Sequence, residues 1–251
     1  MMKVMLKILG VLLLLNGCMT ITIPDEFVYK EVQTRNFKLA SWQKITNPYA
    51  VFKVYIEGDG HSFDSYGRPT GNPTPKGTLL REIAFGDKSH NVIYMARPCQ
   101  FVKDANCSQR HWTSARFARE VVEAEFEAVS KIVGGNEVVL IGFSGGAQVA
   151  GLISVAKVGL NVKKIVTIGG NLDHLAWTDW HNLSGLSESL NLADYKKEYF
   201  KIPQVHFVGK KDMVVPKELV YEFVGDSGRV VEVDATHSSG WEDIYQLVWD
   251  E

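Results

Sequence analysis

Little in this sequence is basic, and little of it is cysteine. The 27 Lys and Arg residues are outnumbered by 29 acidic ones, and no positive run is long enough to track a nucleic-acid backbone. Only three cysteines occur, at 18, 99 and 107. None keeps the company of other metal ligands, so no zinc site or other metal is expected. The longest apolar stretch, Ile8 to Leu15, falls short of the roughly 20 residues that cross a bilayer. Internal repeats and low-complexity tracts are missing, which removes solenoids and unstructured scaffolds.

What is present suits one large core: 45% of the 251 residues are hydrophobic. Apolar, β-branched runs predict strands over 27–34, 36–45, 50–57, 92–97, 138–143, 163–169, 204–209 and 230–234. The later runs alternate with helical stretches, the pattern of a parallel sheet with helices on both faces. The clearest helix is predicted over 113–133, where Phe117, Val121, Val122, Phe126 and Val129 recur at helical spacing. Shorter helices are predicted over 217–224 and 239–248. The Pro- and Gly-rich segment 61–78 predicts an ordered loop.

The most informative stretch is Gly142-Phe143-Ser144-Gly145-Gly146. The apolar run Val138 to Ile141 precedes it and the small-residue run Ala147 to Ile153 follows. A strand must therefore turn sharply into a helix, and glycines two before and two after the serine permit the close approach. The turn lifts the hydroxyl above the sheet, beside the positive end of the helix. From about residue 27 to its end the chain resembles the α/β-hydrolase family, whose nucleophile elbow this is. The resemblance implies a doubly wound, mostly parallel, eight-stranded α/β sheet with a small cap after the sixth strand, here residues 171–200.

The resemblance also implies an acid and a base in the order Ser, Asp, His. Asp212 leaves the strand 204–209 ahead of Pro216, as the family's acid does. Asp173 is the rival acid, because some members carry it after the preceding strand. His237 leaves the strand 230–234 and is the expected base; His174 and His181 are the rivals. A serine hydroxyl alone is a poor nucleophile, so an imidazole must take its proton and a carboxylate must fix the imidazole's tautomer. Two backbone N–H groups are needed for the oxyanion. Gly145 supplies one by its place after the serine. The other maps onto Asp59 in Glu57-Gly58-Asp59, where many members have His-Gly-X; Glu57 departs from that pattern.

Other residues border this chemistry. Arg97 ends the strand beside the oxyanion strand in the family order, where it can pair with Glu57 or Asp59 or meet a substrate carboxylate. Trp177 and Trp180, in the cap, are candidates to line an acyl or leaving-group pocket; the alternative is packing onto the sheet. The expected activity is cleavage of an acyl ester through an acyl-enzyme, with no cofactor. Thioester, amide or peptide hydrolysis and acyl transfer use the same machinery. A non-catalytic envelope lipoprotein that binds ligands on a hydrolase scaffold is the alternative from another class.

The N-terminus speaks to location. Lys3 and Lys7 precede the apolar stretch, a signal-peptide layout over 1–17. Leu15-Asn16-Gly17-Cys18 resembles a bacterial lipobox, which implies lipid on Cys18, a tether over 18–26 and a membrane-anchored envelope protein with its hydrolase domain over 27–251. The alternatives are a Sec signal cleaved nearby, which releases a soluble protein, and an uncleaved anchor. Removal of Lys3 and Lys7 lowers the 27 basic residues to 25 against 29 acids, a charge of −4. An exported chain meets an oxidising compartment, where Cys99 and Cys107 can form a disulfide; two unrelated thiols are the alternative.

Overall fold

The computed structural model describes residues 22–156 and 159–251. The signal-like segment 1–17 and Cys18, with the start of the tether, lie outside the described residues. Among the described residues no helix is long and apolar enough to cross a membrane.

Each apolar run becomes a strand of one sheet: β1 (Val28–Gln33), β2 (Lys38–Ile45), β3 (Phe52–Ile56), β4 (Asn91–Met95), β5 (Glu137–Phe143), β6 (Asn161–Ile168), β7 (Gln204–Gly209) and β8 (Arg229–Val233). Their spatial order is β1-β2-β4-β3-β5-β6-β7-β8. The pairs β1–β2 and β2–β4 are antiparallel and the remaining neighbours run parallel. The helices are α1 (Leu79–Gly86), α2 (Arg119–Val133), α3 (Gly145–Ser154), α4 (His174–Trp180), α5 (Lys196–Tyr199), α6 (Lys217–Val224) and α7 (Tyr245–Asp250).

Strand alternation builds a core on each face of the sheet. On β3, Phe52, Val54 and Ile56 meet the apolar sides of α2, α3 and α6, including Val121, Ala150 and Phe223. Tyr55, between them, points to the other layer, where Leu80 and Ile83 of α1 and Val248 of α7 lie. The inner strands β3, β4 and β7 are buried along their whole length, the polar Lys53, Asn91, Gln204 and His206 included, as a sheet covered on both faces requires.

Three helix boundaries differ from the sequence expectation. The predicted helix over 113–133 begins only at Arg119, after a 3-10 turn over Gln109–Trp112. Tertiary bonds compete for the intervening backbone: Phe117 N–H donates to Ser189 Oγ and Phe117 O accepts from Leu190 N–H, both in the cap. The predicted helix over 239–248 is shifted to a 3-10 turn, Glu242–Ile244, leading into α7, because Gly240 sits at φ +84° in the preceding loop. Helix α1 was not foreseen; its apolar stripe of Leu80, Ile83 and Ala84 spans little more than one turn.

After β6 the cap follows, comprising α4, a 3-10 turn at Leu192–Tyr195 and α5. It seats on α3 at Gly151, where a Cβ would fall 2.3 Å from Leu192 Cδ2. Gln148 Nε2 donates to Asn191 Oδ1 at 3.0 Å beside that contact.

Cys99 and Cys107 are joined as a disulfide, Cα–Cα 5.6 Å apart. The closed loop holds Cys99 at φ +70° and Phe101 at φ +61°, and between them Gln100 Nε2 donates to Gly58 O at 2.9 Å. Closing so short a loop stabilises the fold by about 2.5 kcal/mol in the chain-entropy model. The double variant Cys99→Ser/Cys107→Ser should therefore melt about 5–10 °C lower. Thermal scans of wild type with and without reductant check this; superimposable curves would remove the staple from the stability account.

Candidate active site

Glycine packing forces the turn between β5 and α3. A Cβ at Gly142 would stand 2.5 Å from Ala147 Cα, and one at Gly146 would stand 2.2 Å from Ile56 O. With those contacts fixed, Ser144 is driven to φ +52°, ψ −123°, a conformation L-residues avoid at a cost of about 1–3 kcal/mol. The neighbouring strand holds it there: Ser144 N–H donates to Ile168 O at 3.1 Å, and Asn171 N–H donates to Ser144 O at 3.0 Å.

His237 is delivered by the loop after β8. Trp241, fully buried, anchors that loop and donates its Nε1–H to His237 O at 3.3 Å. The imidazole stacks on Phe143 with centroids 5.0 Å apart. Its Nε2 lies 3.0 Å from Ser144 Oγ and its Nδ1 lies 2.8 Å from Asp212 Oδ2. A carboxylate only accepts, so Nδ1 carries the proton and Nε2 is left to accept from the serine hydroxyl.

Asp212 occupies the turn after β7 and is buried. Its Oδ1 accepts from Val214 N–H and Val215 N–H, each at 2.8 Å, which aims Oδ2 at the imidazole. Gly169, at φ +50°, makes room for the pair: a Cβ there would stand 3.1 Å from Asp212 Oδ2 and 3.4 Å from His237 Nδ1.

Asp59 and Gly145 face each other across the elbow. A Cβ at Gly145 would stand 2.2 Å from Asp59 Oδ1. Neither residue's N–H donates to another group among the described residues. The peptide before Asp59 is pinned from both sides. Glu57 Oε1 accepts from Gly58 N–H at 2.8 Å, and Gln100 holds Gly58 O. The other Glu57 oxygen accepts from Tyr94 OH at 2.6 Å. Burial pushes the Glu57 carboxyl above the usual carboxylate range, against the pull of these bonds.

The Asp59 carboxylate is shared by two arginines. Arg116 Nη1 donates to Oδ2 at 2.6 Å, and Arg97 Nη1 lies 3.5 Å from Oδ1. Arg97 also stands 3.6 Å from Glu125 and donates Nη2–H to Arg116 O. It is buried behind the site and does not line the cavity, so of its two sequence-derived roles the pairing with Asp59 is the one the geometry contains. Arg116, which does line the cavity, went unnoticed in the sequence, hidden inside an expected helix.

The rival residues are engaged elsewhere. Asp173 caps α4, its Oδ1 accepting from Leu175 N–H at 3.1 Å, Ala176 N–H at 3.2 Å and Asn191 Nδ2 at 2.7 Å. His174 is buried against Phe117, and His181 Nε2 lies 3.0 Å from Val214 O. A cavity of about 670 Å³ opens in front of Ser144 and His237. Trp177 lines it, held by its Nε1–H on Val214 O at 2.6 Å. Trp180 corrects the expectation for the cap: it is 51% exposed and lies outside the cavity, because one face of the short helix α4 carries only one of the pair inward. Among the described residues no group of three or more His, Cys, Asp or Glu side chains could hold a metal ion.

Comparisons with known proteins place this geometry. The profile of the family described as Serine hydrolase (FSH1) matches residues 103–238, more than half of the chain. A search of curated protein sequences finds no significant match. Solved structures are similar throughout. A CIB-like hydrolase of Thermoplasma acidophilum superposes with a TM-score of 0.60 at 15% identity, covering 89% of this chain and 96% of that one. An esterase of Pyrococcus furiosus gives 0.60 at 18% identity, covering 90% and 89%. Est1E of Butyrivibrio proteoclasticus gives 0.59 at 12% identity, covering 90% and 95%. At these identities the likeness establishes the fold, which is that of the α/β hydrolases.

Proposed function

Because this chain belongs to the Serine hydrolase (FSH1) family, we propose that it is a carboxylic ester hydrolase whose nucleophile is Ser144, with His237 as base and Asp212 as the acid that orients it. The observation that carries the reading is the continuous relay from Ser144 Oγ to His237 Nε2 (3.0 Å) and from His237 Nδ1 to Asp212 Oδ2 (2.8 Å).

Ser144 Oγ attacks the acyl carbonyl as His237 Nε2 takes its proton. The imidazolium is stabilised by Asp212 across the Nδ1–H bond. The carbonyl oxygen becomes an oxyanion before the N–H groups of Asp59 and Gly145, and the helix α3 begins at the second of these. Collapse expels the alcohol, which receives the proton from His237. Water then gives a proton to Nε2 and attacks the acyl-enzyme, releasing the acid and restoring Ser144. A fluorophosphonate tests the nucleophile: it should label the protein once, on the peptide that contains Ser144. An unlabelled wild type would favour a binding scaffold without catalysis.

Trp177 forms part of the roof over this chemistry. Trp177→Ala should lower kcat/KM for apolar acyl chains by roughly 10- to 100-fold, the equivalent of losing a large apolar contact. Trp180→Ala, outside the cavity, should leave the profile unchanged. Ester series of graded chain length read both effects, and a matching response from the two variants would remove the roof from the substrate site.

We further infer that the domain is held at the bacterial envelope by lipid on Cys18, after removal of residues 1–17. The support is the charged, apolar and lipobox-like order of those residues. The mass of the N-terminal peptide from detergent-extracted protein tests this; an unmodified Cys18 would overturn the anchor.

A further inference from the structure

Arg116 is a cation built into the wall of the catalytic cavity, and the chemistry above leaves part of it unused. Its residue is only 7% exposed. Nε–H donates to Thr113 O at 2.8 Å and Nη1–H to Asp59 Oδ2 at 2.6 Å. Those are the guanidinium's hydrogen bonds among the described residues, which leaves Nη2 without a partner, and the residue lines the cavity. Two aromatic rings fix the guanidinium plane, Phe63 at 5.4 Å and Trp177 at 6.0 Å from its central carbon. With Nε and Nη1 committed, Nη2 is the nitrogen left to donate to whatever enters, on a guanidinium whose orientation is already fixed.

The charge around that guanidinium does not balance. Two guanidinium groups, Arg97 and Arg116, share the one carboxylate of Asp59. The other acid against Arg97 is Glu125, whose carboxyl is pushed up to about 8 by burial and whose oxygens accept no hydrogen bond. At neutral pH Glu125 is then mostly uncharged, burial also works against the charge on Glu57, the remaining acid near Arg97, and the cluster keeps an excess of positive charge. Arg97 is sealed behind the site, so Arg116 is where that excess meets the cavity. Of the cavity's acids besides Asp59, Glu57 is bonded to Gly58 N–H and Tyr94 OH, Glu82 on α1 accepts from Thr78 Oγ1 and Tyr245 OH, and Glu242 belongs to the turn before α7. A buried arginine that shares its one carboxylate with a second arginine is only partly neutralised, and a ligand carboxylate would supply the rest of its counter-charge.

We propose that Arg116 is a specificity-determining residue that receives a carboxylate on the substrate, so that the preferred esters carry a free acid group close to the scissile bond. This rests on the hydrolase reading of the same cavity. A carboxylate meeting Nη2–H would accept a charge-assisted hydrogen bond. The attachment of Arg116 to Asp59, whose N–H faces the developing oxyanion, puts the carboxylate within a few bonds of the reacting carbonyl.

Two matched pairs of esters test the idea and locate the acid. Monomethyl glutarate against methyl pentanoate places the carboxylate on the acyl side, and 3-carboxyphenyl butyrate against phenyl butyrate places it on the leaving group. Active-site concentration is set by fluorophosphonate titration. Wild type should favour the acidic member by roughly 10- to 100-fold in kcat/KM in one arm, as a charge-assisted bond allows. Arg116→Gln should bring that ratio to about one, and Arg116→Lys, which keeps the charge without the planar guanidinium, should leave an intermediate ratio. Equal losses on acidic and neutral esters would make Arg116 a counter-ion of Asp59 alone and overturn the proposal. Wild-type indifference in both arms would overturn it while leaving the hydrolase reading intact. Wild type inert towards all four esters would bring down the hydrolase reading and this one with it.

Discussion

Ser144→Ala should reduce ester turnover by on the order of 10⁶, to the level the remaining site can sustain without a nucleophile. Folding should hardly change. The hydroxyl's partner is His237 Nε2, and the bonds that hold residue 144 in place use its backbone. Alanine meets the same strained φ as serine, so the elbow neither gains nor loses strain. The expected change in stability is below about 1 kcal/mol, typical of a side chain outside the core. Turnover of a chromogenic ester, measured beside a thermal melt, reads both quantities. Wild-type turnover from a folded Ser144→Ala protein would refute the assignment of the nucleophile.

Asp212→Asn should lower kcat by on the order of 10⁴ with the fold intact. The amide oxygen can still accept from Val214 N–H and Val215 N–H, so it takes the place of Oδ1. The amide NH2 then faces His237 Nδ1, where a donor meets a donor. The imidazole escapes by moving its proton to Nε2, the atom that must accept from Ser144. Asp173→Asn should cost less than about tenfold, because an asparagine oxygen caps α4 almost as well as a carboxylate. Steady-state kinetics on the two variants separate them. If Asp173→Asn is the crippled enzyme, the acid belongs after β6.

Much of this arrangement was legible because its causes are local. The elbow glycines, the run of Val138 to Ile141 and the small residues of α3 are neighbours in sequence, and their packing demands nothing remote. The acid and base turns are likewise short segments at the ends of apolar strands. What escaped notice depends on contacts between distant segments. Arg116 lines the cavity just ahead of Phe117, which the cap holds outside the helix: Phe117 N–H donates to Ser189 Oγ and Leu190 N–H donates to Phe117 O. Periodicity cannot register such competition, since Phe117 continues the helical stripe. Glu57 was visible only as a departure from the family pattern. Its use became clear from Tyr94 and Gly58, one strand away and one residue on. Trp177 and Trp180 differ in fate through the rotation of a short helix, a matter of degrees that spacing leaves open.

The sheet order also decides how the molecule meets a surface. Asp59, Ser144, Asp212 and His237 follow β3, β5, β7 and β8, so they gather from the middle of the sheet towards its β8 edge. The chain enters at the opposite edge, with Val28 at the start of β1. A support that grips residues ahead of Val28 grips the edge remote from the reactive side. Lipid, affinity tag or resin bead would all act as a stalk there, leaving the cavity mouth clear of the material to which the protein is fixed.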